Sequence, residues 1–238
     1  SAYAEGIIER DPSVSLIRPK AKKKTERRAL TDQETENVLH TIQNHEHGLF
    51  LAVLYYLGLR RGEALGLQWG DFDFDEDLVH IQRDIDYKAG GAAGALKTPA
   101  SARTVPLPAP LRAILEPRRE LPGAYIAHGE RGAQAPLAKS SAERLWVDLM
   151  IAAGMAAPAP KNRYREGDVR HHWRAIITPH ALRHNYITLC WEHGIDVYET
   201  MRLVGHTSIT TTLGIYTHLS EAQLSRTAAK LEIMFSGD

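Results

Sequence analysis

The sequence predicts an α+β fold that is mostly helical and contains a small antiparallel sheet. Two patterns lead to this prediction: apolar residues at helical spacing before residue 68 and after residue 108, and polar–apolar alternation between them. Composition agrees, because 43% hydrophobic and 24% charged residues are typical of a globular chain. A length of 238 residues suits one large domain or two small ones.

Three helices are predicted first. Thr31 and Glu34 have the spacing of a capping box, and apolar residues then recur at helical intervals. A second helix should cover residues 48–57. A third should begin after Gly58-Leu59-Arg60 and end near Leu67.

The predicted sheet lies between residues 71 and 105. Residues 71–74 and 78–85 alternate polar and apolar side chains, as half-buried strands do. Residues 90–94 are rich in glycine and predict a turn. Leu96–Lys97 and residues 103–105 flank a Pro-Ala-Ser turn, which predicts another antiparallel pairing.

Helices dominate the second half of the chain. Thr178 and Pro179 open one of them, because proline is favoured at the first helical position. Residues 154–177 are first proline-rich and then basic, and their pattern predicts no element. The helices expected here cover residues 109–116, residues 140–153, the segment from Thr178, and short stretches near 196–203, 208–213 and 220–231.

Charge and composition narrow the functional classes. Acidic and basic residues are equal, 29 of each, which argues against a generally basic DNA-binding protein. The charges are nevertheless segregated, with a basic run at residues 18–28 and an acidic run at residues 71–77. The single Cys190 excludes an internal disulfide framework and a cysteine-only zinc site. No apolar run approaches membrane-spanning length. The scarcity of cysteine fits a cytoplasmic protein, which is the location we expect.

The residues that can carry chemistry fall into separate short motifs. His-x-x-Arg is a weak motif that occurs four times, at His80, His128, His171 and His180. Context favours the pair His180 and Arg183, which opens a helix where free backbone amides attract anions. Other motifs stand around this pair in the sequence: Gly58-Leu59-Arg60 with Glu63, Lys97 in the predicted hairpin, Leu203-Val204-Gly205-His206, and Tyr216.

Together these motifs resemble the catalytic domain of the tyrosine recombinases of the phage-integrase type, from about Thr31 to Ala229. The resemblance implies a catalytic domain over residues 29–238, preceded at residues 1–28 by a linker and the end of a core-binding domain. It implies that Arg60 and Arg183 are the active-site arginines and that Glu63 supports them. It also implies catalytic roles for Lys97, His180, His206 and the nucleophile Tyr216.

The chemistry of DNA cleavage explains why such residues are needed. Two arginine forks can hold the non-bridging oxygens of a phosphodiester and offset the charge that develops there. Tyr216 would attack phosphorus, His180 would take its proton, Lys97 would protonate the departing 5′ oxygen, and His206 would donate a hydrogen bond. Such a reaction needs no metal and no nucleotide cofactor.

The resemblance also implies how the chain meets its partners. We expect double-stranded DNA as substrate, a homotetramer on DNA, and docking of residues 220–238 onto a neighbouring copy. No membrane partner is expected, and the bound protein would be associated with the nucleoid. We expect most DNA affinity to come from phosphate contacts. The DNA-binding residues predicted are Lys22, Lys23, Lys24, Arg27 and Arg103.

Two other functions compete with a mobile-element integrase. A type IB topoisomerase-like relaxing enzyme shares the same active-site plan but acts alone on one duplex. A non-catalytic regulator on the same fold would bind DNA without cleaving it. The complete set of arginine, lysine, histidine and tyrosine residues argues against the regulator.

Overall fold

The computed structural model describes residues 29–87, 93–95, 102–129, 132–159 and 172–206. The described part confirms the α+β class, with small antiparallel sheets among helices. Its helices are α1 (Asp32–Asn44), α2 (Gly48–Leu57), α3 (Arg61–Gly66), α4 (Ala109–Leu115), α5 (Lys139–Ala152), α6 (Pro179–Glu192) and α7 (Val197–Val204). Its strands are β1 (Phe72–Asp73), β2 (Leu78–Ile81), β3 (Arg83–Ile85), β4 (Ala93–Ala95), β5 (Arg103–Pro106), β6 (Ala156–Pro158) and β7 (Trp173–Ala175).

The first three helices form as the sequence predicts. The capping box at the start of α1 is present, with the Thr31 side chain accepting from the Glu34 amide and Glu34 accepting in return. Helix α2 occupies its predicted range and is buried along most of its length. It ends at Gly58, whose φ of 58° lies in the left-handed region. A Cβ at Gly58 would lie 2.5 Å from the Tyr186 ring, so the position requires glycine.

The sheet region differs from the prediction in one respect. The single strand predicted over residues 78–85 is two strands, because the chain leaves one sheet at Gln82 and enters another. Strand β5 pairs antiparallel with β2, in a sheet of order β1-β2-β5, whereas β3 pairs with β4. Leu96 and Lys97, the predicted partners of β5, lie outside the described residues.

Two short strands on either side of residues 160–171 form an antiparallel pair that the sequence pattern does not reveal. Strands β6 and β7 pair antiparallel from Ala156 opposite Ala175 to Pro158 opposite Trp173. Three-residue strands are too short to show a period of two, and alanine and proline favour strands weakly. Helices α4 and α5 lie within a residue of their predicted positions.

Most of the described elements share one apolar core. It includes buried side chains from α1 to α5, from the sheet, and Leu182 of α6. A second, smaller cluster joins α6 and α7 through Ile187 and Val204. No helix within the described ranges has both the length and the apolar character that a membrane span requires.

Candidate active site

The site is built around the carboxylate of Glu63, whose side chain is only 1% exposed. Helix α3 begins directly after the extended residue Arg60, and Glu63 lies in its first turn. Its Oε2 accepts from the Arg60 backbone amide at 2.9 Å, and its Oε1 accepts from Arg60 Nη1 at 2.7 Å. The start of α3 therefore holds a buried acid and an arginine in a defined orientation.

Two further arginines approach the same carboxylate from distant parts of the chain. Arg103 of β5 donates from Nη2 to Glu63 Oε2 at 2.9 Å and from Nη1 to Oε1 at 3.2 Å. Arg183 of α6 has its Nη1 at 3.9 Å from Glu63 Oε2. Burial alone would raise the pKa of Glu63, but the hydrogen bonds and charge of Arg103, aided by Arg60 and Arg183, lower it. Glu63 is therefore ionised at neutral pH.

The same three arginines bind three consecutive carbonyl oxygens at the end of α7. Arg103 Nε donates to the carbonyl of Leu203 at 2.7 Å. Arg183 Nη2 donates to the carbonyl of Val204, and Arg60 Nη2 donates to that of Gly205 at 2.6 Å. The last carbonyls of a helix lack intrahelical partners and carry partial negative charge, so arginines suit them. We call this arrangement of Glu63, the three arginines and the three carbonyls the arginine clasp.

Arg183 is the most deeply placed of the three, with 1% of its side chain exposed. Its Nη1 also donates to the carbonyl of Gly58 at 2.9 Å. Its buried Nε has no hydrogen-bond partner among the described residues. Burial and the charge of Arg60 lower the pKa of Arg183 to about 9, which still leaves the guanidinium charged at neutral pH. The Arg60 side chain, by contrast, is 40% exposed and is available to a ligand from solvent.

Two histidines complete the described site. His206 follows the left-handed residue Gly205, and its backbone amide donates to the carbonyl of Met201 at 3.0 Å. Burial, followed by the charges of Arg183 and Arg60, lowers the pKa of His206 to about 3, so its imidazole is neutral. His180, in the first turn of α6, is exposed, and its ring centroid lies 4.5 Å from that of His184.

The structure thus brings together Arg60, Glu63, Arg183 and His206, as the sequence analysis anticipated, with His180 close enough to influence the pKa of His206. Lys97 and Tyr216 lie outside the described residues. So do the basic residues Lys22, Lys23, Lys24 and Arg27. In the described ranges, no three side chains from His, Cys, Asp and Glu are grouped so as to hold a metal ion.

Arg103 requires a revision of the predicted DNA contact. Its side chain is 8% exposed and donates to Glu63 and to the Leu203 carbonyl, so its guanidinium faces the interior and not a phosphate. The sequence does contain a signal for this placement. Alternation along β5 puts Arg103 on the same face as the buried Val105, while Thr104 and Pro106 are exposed.

Several solved structures have a similar fold. The integrase of transposon Tn1549 in complex with circular intermediate DNA aligns with a TM-score of 0.66 and 20% identity, over 97% of this chain and 76% of that one. A lambda integrase dimer bound to a COC′ core site aligns with a TM-score of 0.55 and 22% identity, over 90% of this chain and 54% of that one.

Curated relatives are similar along nearly the whole sequence. A XerC-like tyrosine recombinase of Caldanaerobacter subterraneus subsp. tengcongensis is 27% identical, over 98% of this chain and 62% of its own length. The tyrosine recombinase XerA of Thermococcus onnurineus is 27% identical, over 94% of this chain and 70% of its own length. The chain thus spans somewhat under two thirds of the first relative. The model of the phage integrase family matches residues 28–223, and this chain belongs to that family.

Proposed function

We propose that this chain is the catalytic domain of a site-specific tyrosine recombinase, an integrase of a mobile element, that cleaves and rejoins double-stranded DNA. The observation that carries the proposal is the convergence of Arg60 and Arg183, from segments more than a hundred residues apart, on one buried carboxylate beside His206. Paired guanidinium groups suit a phosphodiester, because each offers a planar fork of donors to its oxygens.

The described residues account for charge stabilisation at phosphorus. Arg60 is exposed enough to donate to a non-bridging oxygen, and Glu63 orients it from behind. His206 is neutral in the DNA-free chain and can donate a hydrogen bond from one ring nitrogen. The buried Nε of Arg183 is a further donor without a partner among the described residues.

The bond exchange is completed by residues that the family resemblance supplies. The phenol oxygen of Tyr216 forms a bond to phosphorus while the bond to the 5′ oxygen breaks. His180 takes the phenol proton, and Lys97 gives a proton to the departing 5′ oxygen. The product is a 3′-phosphotyrosine with a free 5′-hydroxyl, which conserves the bond energy. Attack by a different 5′-hydroxyl then reverses the step and exchanges strands.

The proposed partners follow from strand exchange. Two duplexes and two cleavages on each require four catalytic domains, so we propose a homotetramer on DNA at the nucleoid. We propose further that residues 220–238 dock onto a neighbouring copy, because their apolar residues Ile233, Met234 and Phe235 suit an interface better than solvent. The Tn1549 integrase and lambda integrase structures of similar fold are complexes with DNA, which supports DNA as the partner.

A suicide substrate with a nick next to the cleavage site tests the proposal. The parent protein should become covalently attached to DNA, and peptide mapping should place the attachment at Tyr216. The Tyr216→Phe variant should bind the same DNA and form no adduct, since it lacks the attacking oxygen. An equal adduct yield from that variant would assign the nucleophile elsewhere.

The same assay separates the competing functions. A regulator would bind the substrate and give no adduct with the parent protein. A relaxing enzyme would remove supercoils from a plasmid with a single site and would exchange no strands between two duplexes. Recombinant products that depend on two sites would support the integrase.

A further inference from the structure

We propose that Arg103 is a positioning residue for DNA cleavage, which sets the orientation of Glu63 and of the α7 end that carries His206. The inference rests on the proposed function and adds a residue to it. Arg103 does not touch the substrate in this proposal. It acts through Arg60, by way of Glu63, and through His206, by way of the Leu203 carbonyl.

The geometry of Arg103 supports a bridging role. Three of its nitrogens are used at once: Nη1 and Nη2 on the two oxygens of Glu63, and Nε on the carbonyl of Leu203. It thus connects α3 with the end of α7, elements that lie 40 and 100 residues from it in sequence. With 8% of the side chain exposed, water competes little for these bonds.

Each of these contacts leads directly to a proposed catalytic residue. Glu63 accepts from both the backbone amide and Nη1 of Arg60, so a rotation of the Glu63 carboxylate would change the orientation of the Arg60 guanidinium. Leu203 stands three residues before His206, and its carbonyl is the first of three consecutive carbonyls that arginines hold. Loss of Arg103 would therefore loosen two groups that the proposed reaction uses, Arg60 and His206.

Close packing strengthens this link at Gly205. A Cβ built on Gly205 would lie 2.8 Å from Arg103 Nη1, so the guanidinium sits directly against the turn that precedes His206. The turn is thus restrained by contact as well as by hydrogen bonds. The restraint is the kind of preorganisation that catalysis needs, since small displacements of a donor reduce the rate strongly.

Lysine cannot reproduce the whole arrangement. A single ammonium can pair with Glu63, but it lacks the planar fork that reaches both carboxylate oxygens and the Leu203 carbonyl together. We therefore expect Arg103→Lys to restore part of what Arg103→Gln loses. A role limited to neutralising Glu63 would instead make lysine fully equivalent.

Arg83 offers a matched control. Like Arg103, it lies on a strand, pairs with a buried acid, Asp71, and donates from Nε to a backbone carbonyl, that of Gly66. Its hydrogen bonds reach Asp71 and the last residue of α3, Gly66, and among the described residues none of them goes to Glu63, Arg60 or α7. Arg83→Gln should therefore disturb stability in a similar way without disturbing the clasp.

The experiment measures single-turnover adduct formation at saturating DNA, the DNA dissociation constant, and the melting temperature. We expect Arg103→Gln to slow adduct formation by about tenfold or more, with DNA affinity changed by less than about threefold. Arg103→Lys should lie between it and the parent. Arg83→Gln should lower the melting temperature and leave the rate within about twofold of the parent.

Three outcomes would overturn the inference. Arg103→Gln could form the adduct as fast as the parent does, or its adduct rate could fall by no more than that of Arg83→Gln. A substrate with a 5′ bridging sulfur, which leaves without protonation, could restore the full rate, and Arg103 would then act through the general acid. If the parent itself forms no adduct, the proposed function is wrong, and so is the positioning role of Arg103 that depends on it. A parent adduct with an unimpaired Arg103→Gln removes the inference alone.

Discussion

Glu63 is a buried charge that stays charged because its partners are arranged around both oxygens. Burial penalises an isolated carboxylate by several kcal/mol, so an unpaired acid at this position would take up a proton. Here Arg60, Arg103 and the nearby Arg183 compensate it. Three positive groups in turn depend on one acid and on helix-end carbonyls, so their mutual repulsion is offset within the clasp.

Burial and the arginines near His206 make its imidazole hard to protonate, which lowers the stability of the folded chain in acid. Its pKa of about 3 in the folded chain lies below the ordinary value of 6.5. As the pH falls from about 6.5 toward 3, the unfolded chain binds a proton here before the folded chain does, and the folded state loses stability. The free energy of unfolding should therefore fall less steeply with decreasing pH in His206→Gln than in the parent.

Urea denaturation at about pH 7 and about pH 5 checks this prediction, because a histidine of ordinary pKa changes from mostly neutral to mostly charged between these two pH values. The imidazole signals of His206 in the DNA-free protein should also remain those of a neutral ring at the lower pH. Parallel pH dependence of the two proteins, or a protonated ring at about pH 5, would contradict it.

The sequence motifs predict which residues converge better than they predict the contacts that these residues make. Arg60, Glu63 and Arg183 stand in short motifs, so their convergence could be anticipated from family resemblance. Arg103 stands in the sequence only as one of several basic residues predicted to bind DNA. Its internal role depends on Glu63 and Leu203, which are 40 and 100 residues away, and no local pattern reports such distances.

At the scale of elements, the left-handed turn at Gly205 ends α7 and sets the direction in which the chain continues to His206. Its φ is 66°, and its amide donates to the carbonyl of Arg202. The turn directs the Gly205 carbonyl to Arg60 and leaves no room for a side chain beside Arg103. One glycine thus serves both backbone geometry and packing.

Gly205→Ala should be more damaging than Gly154→Ala, the matched control. Gly154 follows α5 with a nearly identical φ of 67°, but within the described ranges a Cβ there meets only Asn37, at an ordinary 3.7 Å. The control should cost about 1 kcal/mol from backbone strain. Gly205→Ala should cost at least about 1 kcal/mol more, since its Cβ displaces Arg103.

Urea denaturation measures both costs, and the adduct assay shows whether the additional loss reaches the site. Equal destabilisation of the two variants would mean that Arg103 moves away freely from the turn. A slower adduct rate in Gly205→Ala alone would agree with restraint of the turn by Arg103.

Element prediction succeeded where local signals were strong and failed where pairing decided the structure. The capping box at Thr31 and the glycine at position 58 delimit α1 and α2 in the sequence itself. The change of sheet at Gln82 and the β6–β7 pair depend on which strand lies alongside, and propensity carries little of that information.

At the scale of the whole molecule, α7 is attached differently from the other helices. Helices α1 to α5 contribute buried side chains to the main core, whereas α7 touches that core through the partly buried Leu203 and packs on α6 through the small cluster that contains Val204 and Ile187. Only Thr200 and Val204 of α7 are buried. The arginine clasp therefore supplies much of what holds this helix in place.

Hydrogen exchange should distinguish these attachments. Helix α2, with seven buried residues, should exchange only through global unfolding, while α7 should open at a lower free energy. Arg103→Gln should accelerate exchange in α7 and leave α2 slow in the folded protein. Mass spectrometry of peptides from the two helices measures this directly, and equal protection of α2 and α7 would contradict the expectation.

Three acceptors in the clasp, the carbonyls at the end of α7, belong to the main chain, which has a consequence for how this helix can vary. Substitutions at Leu203 leave its carbonyl in place, so side-chain identity there is free to drift as far as packing allows. Inserting or deleting one residue within α7 would instead rotate the three oxygens together by about 100° around the helix axis. The region should accordingly tolerate point substitutions while rejecting changes of length.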